Sequence, residues 1–265
     1  MCGIAGLFNS RLEIDPVHLN AMRDIVSYRG PDGKGSILFG NISYPQVRDT
    51  GPIFGGLAHR RLAIVDLSDN AKQPMATKDG RYWITYNGEI YNHIELRDFL
   101  EKKGYHFFSK SDTEVILYAY NEWGVDCLDR FRGMFSFAII DLYQSNLFLA
   151  RDRFGIKPLY YWTSPSGSFA FASEIKQFTV LPEWKAVLNY SRAKDYLESG
   201  TTDHTSETMF QGVSQLIGGH YIRIPLNHLN DIRPKQWFYL QKQNFSGSYQ
   251  YALEQFSNLF EEILE

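Results

Sequence analysis

Only two cysteines, Cys2 and Cys127, occur in the 265 residues, which excludes a disulfide framework and any spacing that could hold a metal through thiolates. No apolar run approaches the roughly 20 residues needed to cross a bilayer. The opening MCGIAGLFNS lacks the positive region that starts a secretory signal. A formal net charge of −3 offers no basic field to nucleic acid or to an anionic membrane surface. Internal repeats and low-complexity tracts are also missing. What remains, 44% hydrophobic and 22% charged residues, fits a globular chain with one large domain and an appendage. A cytoplasmic, reducing setting is expected for a thiol that has to stay free.

From residue 2 to about 178, short apolar runs alternate with turn signals. Residues 4–8 read as a buried strand. Residues 16–28 carry Leu19, Met22 and Val26 at helical spacing behind Pro16, a residue suited to a first helical position. Glycine and proline make 29–33 a loop. Residues 84–86 read as a short strand that ends at Asn87-Gly88. Asn92 with Glu95, and Ser111 with Glu114, form capping-box patterns that open helices through Lys103 and Trp123. Strands are expected at 134–141, 146–150, 159–162 and 169–172. The first of these is nearly continuous apolar sequence, so both its faces should be covered. Residues 182–239 give weaker, mixed signals. Residues 250–265 read as an amphipathic helix with Leu253, Phe256, Phe260, Ile263 and Leu264 on one face.

Cys2 is the residue around which chemistry can be built. Removal of Met1 would leave its thiol beside a free α-amine of pKa roughly 7.7–8.0, so one residue would hold both nucleophile and base. Attack on an amide needs donors for the developing oxyanion, and Asn87-Gly88 offers a side-chain amide and an unhindered backbone N–H. An amino-acid substrate also needs a cation for its carboxylate and an anion for its ammonium. Arg61 suits the first and Asp112 the second. Taken singly, each has a bland alternative: a frayed terminus, an Asn-Gly turn, a surface arginine, compensation of a helix dipole. Cys127, next to Leu128, reads as core packing.

The joint pattern is more specific. Met1-Cys2-Gly3-Ile4-Ala5-Gly6 followed by Tyr28-Arg29-Gly30-Pro31-Asp32-Gly33 resembles the class II glutamine amidotransferases. The motifs His59-Arg60-Arg61-Leu62-Ala63-Ile64-Val65-Asp66, Gln73-Pro74-Met75, Tyr86-Asn87-Gly88-Glu89-Ile90-Tyr91-Asn92 and Ser111-Asp112-Thr113-Glu114 narrow it. With the stretch from Arg151 to Tyr161 they resemble the glutamine-hydrolysing asparagine synthetases, densely to about Lys176 and loosely beyond.

The resemblance implies an α+β fold, a four-layer αββα sandwich of the N-terminal-nucleophile hydrolase type. It makes Cys2 the nucleophile and Asn87 with Gly88 the oxyanion hole. Arg61 and Asp112 would hold the ends of L-glutamine, with Leu62, Ala63, Ile64, Val65 and Glu89 as further contacts. The 29–33 loop would be a wall of the site, Asp32 a turn former, and 151–161 a packing and interface segment. It also implies a glutaminase domain over 2–180, an extension of it over 181–248, and the start of a synthetase domain over 249–265. No cofactor is implied for this chain; ATP and Mg belong to the synthetase domain, whose Ser-Gly-Gly-Leu-Asp-Ser loop is missing here. The Leu-Pro-Pro-Gly-His of the family stands as Leu216-Ile217-Gly218-Gly219-His220. Ammonia would then amidate a carboxylate, aspartate in most relatives. Two other readings stay open: a separate glutaminase subunit docking on an ATP-using partner, and a regulatory domain that retains Met1. A homodimer stays open too.

Overall fold

The computed structural model describes residues 1–40, 46–48, 51–242 and 244–264. Among these residues, twelve strands form two antiparallel sheets. In chain order they are β1 (Gly3–Phe8), β2 (Gly33–Phe39), β3 (Gly55–Arg61), β4 (Met75–Ala76), β5 (Tyr82–Ile90) and β6 (Gly133–Asp141), then β7 (Asn146–Arg151), β8 (Tyr160–Thr163), β9 (Phe169–Ala172), β10 (Val213–Gln215), β11 (His220–Pro225) and β12 (Lys235–Gln236). The helices are α1 (Pro16–Asp24), α2 (His93–Lys102), α3 (Asp112–Trp123), α4 (Cys127–Arg130), α5 (Tyr190–Ser199) and α6 (Tyr249–Leu264). One sheet runs β10-β8-β9-β1-β3-β2 and the other β12-β11-β7-β6-β5-β4.

Side-chain alternation turns these sheets into layers. Along β1, Ile4 and Phe8 join a core shared with Ala138, Ile140, Leu147 and Leu149 of the other sheet. Ala5 and Leu7 face the opposite way and pack with Leu19 and Met22 of α1. On the far face of the second sheet, Phe135, Phe137 and Ile139 pack with Ile116 and Tyr120 of α3. The order is therefore helix, sheet, sheet, helix: the expected αββα sandwich. Both faces of β6 are covered, as its apolar run requires.

Several local expectations are corrected. The strand at 84–86 does not end at Asn87-Gly88; β5 continues through both to Ile90, paired with β6 along its whole length. The helix expected over 16–28 stops at Asp24, and a 3-10 turn, Ser27–Arg29, follows. Asn92 makes no capping bond. Its side chain instead accepts from Arg132 N at 2.9 Å and donates to Arg130 O at 3.0 Å. The second capping box does not form either, although Ser111 still caps α3: its Oγ accepts from Thr113 N at 3.1 Å, while Glu114 reaches back past it to Ser109 N at 2.8 Å and Phe108 N at 2.9 Å. The weakly patterned 182–239 stretch supplies β10 to one sheet and β11 and β12 to the other. α6 covers the expected last helix; Glu265 lies outside the described residues.

Candidate active site

Cys2 sits immediately before β1, whose neighbour β3 runs antiparallel and ends at Arg61. That register sets the Cys2 sulfur against the next residue of the facing strand, with Leu62 N donating to Sγ at 3.3 Å. The Cys2 carbonyl is held by Arg29 Nε at 2.9 Å, and Arg29 is fixed in turn by Glu174, 2.8 Å from its Nη1. Burial pushes the Cys2 thiol up; the Leu62 N–H, the terminal ammonium and Arg61 pull it back down, and Asp112 adds to the rise. Met1 is exposed, and it lines the same cavity as Cys2.

β5 supplies the donors. Asn87 is 1% exposed, and its buried Nδ2 has no hydrogen-bond partner among the described residues. An orphaned amide donor costs about 1–3 kcal/mol unless something else fills it. The direction of the Gly88 N–H follows from the ladder. Its cross-strand neighbour Phe135 turns both peptide groups to the far side, donating N–H to Asp152 Oδ2 at 3.1 Å and accepting from Asp152 N at 2.8 Å. Gly88 is thus a non-hydrogen-bonded position, and its N–H points to the edge used by Tyr86 N and Ile90 N. Those two N–H groups go to Gln73 Oε1 at 2.7 Å and Asp112 Oδ2 at 3.0 Å.

Arg61 grips the segment that follows it, donating to Ser68 O at 3.0 Å and to Asp66 O. Asp32 accepts from Ala63 N at 2.9 Å, so it anchors this segment rather than merely shaping its own turn. Asp112 opens α3 and is 4% exposed. Its Oδ2 accepts from Tyr86 Oη at 2.7 Å as well as from Ile90 N. Burial raises its pKa, opposed by those two donors and by the nearby His93. Among the described residues no cation pairs with it, and none of the ion pairs includes Arg61.

The candidate site residues meet at one cavity of about 280 Å³, near the small end of the roughly 300–1,000 Å³ usual for ligand sites. Cys2, Arg61, the 62–65 segment, the 87–89 segment and Asp112 all line it. So do Gln73, Tyr86 and Lys157, which the sequence reading gave no role in a site; only their place inside the quoted motifs pointed to them. Arg29 stands behind the cavity and clamps Cys2. His59 is 1% exposed, with Nε2 3.0 Å from Tyr86 O, and burial lowers its pKa to about 4. It is therefore neutral near pH 7. Cys127 is fully buried in the core under α3. Among the described residues no helix is long and apolar enough to cross a membrane.

The cavity can thus neutralise an ammonium and a carboxylate at separate points while presenting two N–H donors beside a thiol. Residues 1–238 match a family model described as a glutamine amidotransferase domain. The chain is 33% identical to asparagine synthetase [glutamine-hydrolyzing] 3 of Bacillus subtilis (strain 168), over all of this chain and 41% of that protein. It is 40% identical to asparagine synthetase [glutamine-hydrolyzing] 1 of the same organism, over 68% of this chain and 27% of the relative. The chain therefore spans less than half the length of these relatives. In fold it is similar to the glutamine phosphoribosylpyrophosphate amidotransferase from B. subtilis, with a TM-score of 0.66 at 17% identity over 89% of this chain and 49% of that one.

Proposed function

The chain belongs to the class II glutamine amidotransferase family, and from that membership we propose that Cys2, freed of Met1, hydrolyses the side-chain amide of L-glutamine. The Cys2 amine takes the thiol proton, and Sγ adds to the amide carbon. The oxyanion settles between Asn87 Nδ2 and the Gly88 N–H. The amine passes its proton to the departing ammonia, and water cleaves the γ-glutamyl thioester to glutamate. Arg61 holds the α-carboxylate and Asp112 the α-ammonium; residues 62–65 and Glu89 close around the rest. The observation that carries this reading is the buried Asn87 Nδ2, which has no hydrogen-bond partner among the described residues and belongs to a residue lining the same cavity as Cys2.

The ammonia, in this reading, serves ATP- and Mg-dependent amidation of a carboxylate, aspartate to asparagine, in a synthetase region to which residues 249–265 lead. Residues 2–180 form the glutaminase domain, with 181–248 as its extension, in a cytoplasmic protein. No residue of this chain is assigned to ATP or Mg.

Glutamate release by protein whose intact mass shows Cys2 at its start is the direct test. Cys2→Ala should abolish it; release at the parental rate by that variant would end the proposal. Asn87→Ala should lower kcat by about 10²–10³ with KM little changed, and a loss below tenfold would remove Asn87 from the oxyanion hole. Arg61→Ala should act chiefly on KM, since it grips a part of the substrate that does not react.

A further inference from the structure

We infer that Tyr86 is a specificity-determining positioning residue: its phenol, acting through Asp112, sets how tightly the site grips the α-ammonium of its substrate. The inference rests on the reading of Asp112 as the ammonium's partner and adds a residue to it.

The geometry is particular. Asp112 Oδ2 receives two donors, Tyr86 Oη at 2.7 Å and Ile90 N at 3.0 Å. Its Oδ1 has the Ser111 hydroxyl at 3.5 Å, a long contact beside the two on Oδ2. Tyr86 is itself pinned. It is 2% exposed, its N–H donates to Gln73 and its carbonyl faces His59 Nε2 across the sheets. Burial and the neighbouring carboxylate raise the phenol well above its ordinary pKa, so it is always the donor. A hydrogen bond donated to a buried carboxylate favours its charged form, and the charged form is what holds an ammonium. The titratable groups that bear on Asp112 are Tyr86 from β5, Cys2 at the chain start and His93 in α2, while Glu89 bears on Tyr86 and Arg61 on Cys2. Removing the phenol leaves all the others in place.

The sign follows. Without the Tyr86 donor, Asp112 takes up a proton at higher pH, and glutamine binding fails earlier as pH falls. Steady-state glutaminase kinetics of Tyr86→Phe and the parent, measured from about pH 5 to about pH 8, read this out. At neutral pH the variant's KM for glutamine should rise about three- to tenfold, with the loss in KM rather than kcat. The pH below which KM for glutamine climbs should move up by about one unit. Glutaramate, which is glutamine without its α-amino group, supplies the control: parent and variant should process it alike at every pH. Superimposable glutamine profiles would overturn the inference, and so would an equal penalty on glutaramate, which would mark a general distortion. Asp112→Asn separates the two levels. If that variant raises KM while Tyr86→Phe does nothing, only the role of Tyr86 falls. If Asp112→Asn leaves KM unchanged, the ammonium reading falls and takes Tyr86 with it.

Discussion

His59 reaches from β3 across to the carbonyl of Tyr86 in the facing sheet, one residue before the proposed oxyanion donor. Only a neutral ring fits there, because burial lowers its pKa from 6.5 to about 4. An unfolded chain takes up a proton at this histidine below about pH 6.5, whereas the folded chain does not until near pH 4. Stability contributed by His59 is therefore complete above pH 6.5 and is lost progressively as pH falls toward 4. Urea unfolding of the parent and of His59→Gln, whose amide can still donate to Tyr86 O, isolates the effect. Between about pH 7.5 and pH 5 the parent should lose about 2 kcal/mol more than the variant. Parallel losses would show that the ring titrates normally. The same contact explains why parts of the site escape a reading of the sequence. His59 and Tyr86 meet only because two sheets pack face to face, and no spacing within either segment encodes that.

At the scale of elements, β5 shows where local pattern misleads. Asn-Gly is the strongest turn signal in a short stretch, yet here it lies inside a strand. The glycine is required by close approach: a Cβ on Gly88 would stand 2.3 Å from Met134 O and 2.7 Å from Phe135 Cα of β6. Gly88→Ala should push β5 off β6, costing about 1–3 kcal/mol in chemical denaturation and lowering kcat by turning the N–H away from the proposed oxyanion position. Unchanged stability together with unchanged kcat would mean that the strands are less tightly apposed than the structure shows. Other elements were legible for physical reasons. The apolar runs of β1, β6 and β7 can be satisfied only by burial on both faces, and α3 has a true cap in Ser111. Asn92 was misread because its side chain is claimed by Arg130 O and Arg132 N, from 38 and 40 residues away. Strand β2, Gly33–Phe39, with its glycines and half-buried face, has little pattern of its own and is defined by the neighbour it pairs with. Cys2, Arg61, Asn87, Gly88 and Asp112 could be named from their motifs. The Asp32 and Arg29 anchors behind them could not, since each acts on backbone atoms distant in sequence.

For the molecule as a whole, the informative contrast is between the two C-terminal stretches. β10 and β11 extend one sheet each, and the same stretch of chain buries Leu216, Ile222, Ile224, Leu226 and Leu229 to 2% exposure or less between the sheets. Burying such a side chain contributes about 1.5–3 kcal/mol, against a net domain stability of only about 5–15 kcal/mol. The sandwich cannot spare them. α6 is the opposite case: no residue in it is buried, and Phe256, Phe260, Ile263 and Leu264 all remain more than half exposed. A helix that contributes no burial contributes little to the cooperative unfolding of the layers beneath. A chain ended after residue 242 should therefore melt within about 2 °C of the parent and keep its glutaminase activity. One ended after residue 180 should lose its cooperative transition altogether, because both sheets would be left with bare edges and an unfilled interlayer. A cooperative, active fragment ending at 180 would show that the two sheets hold their register without the strands the C-terminal stretch adds to them.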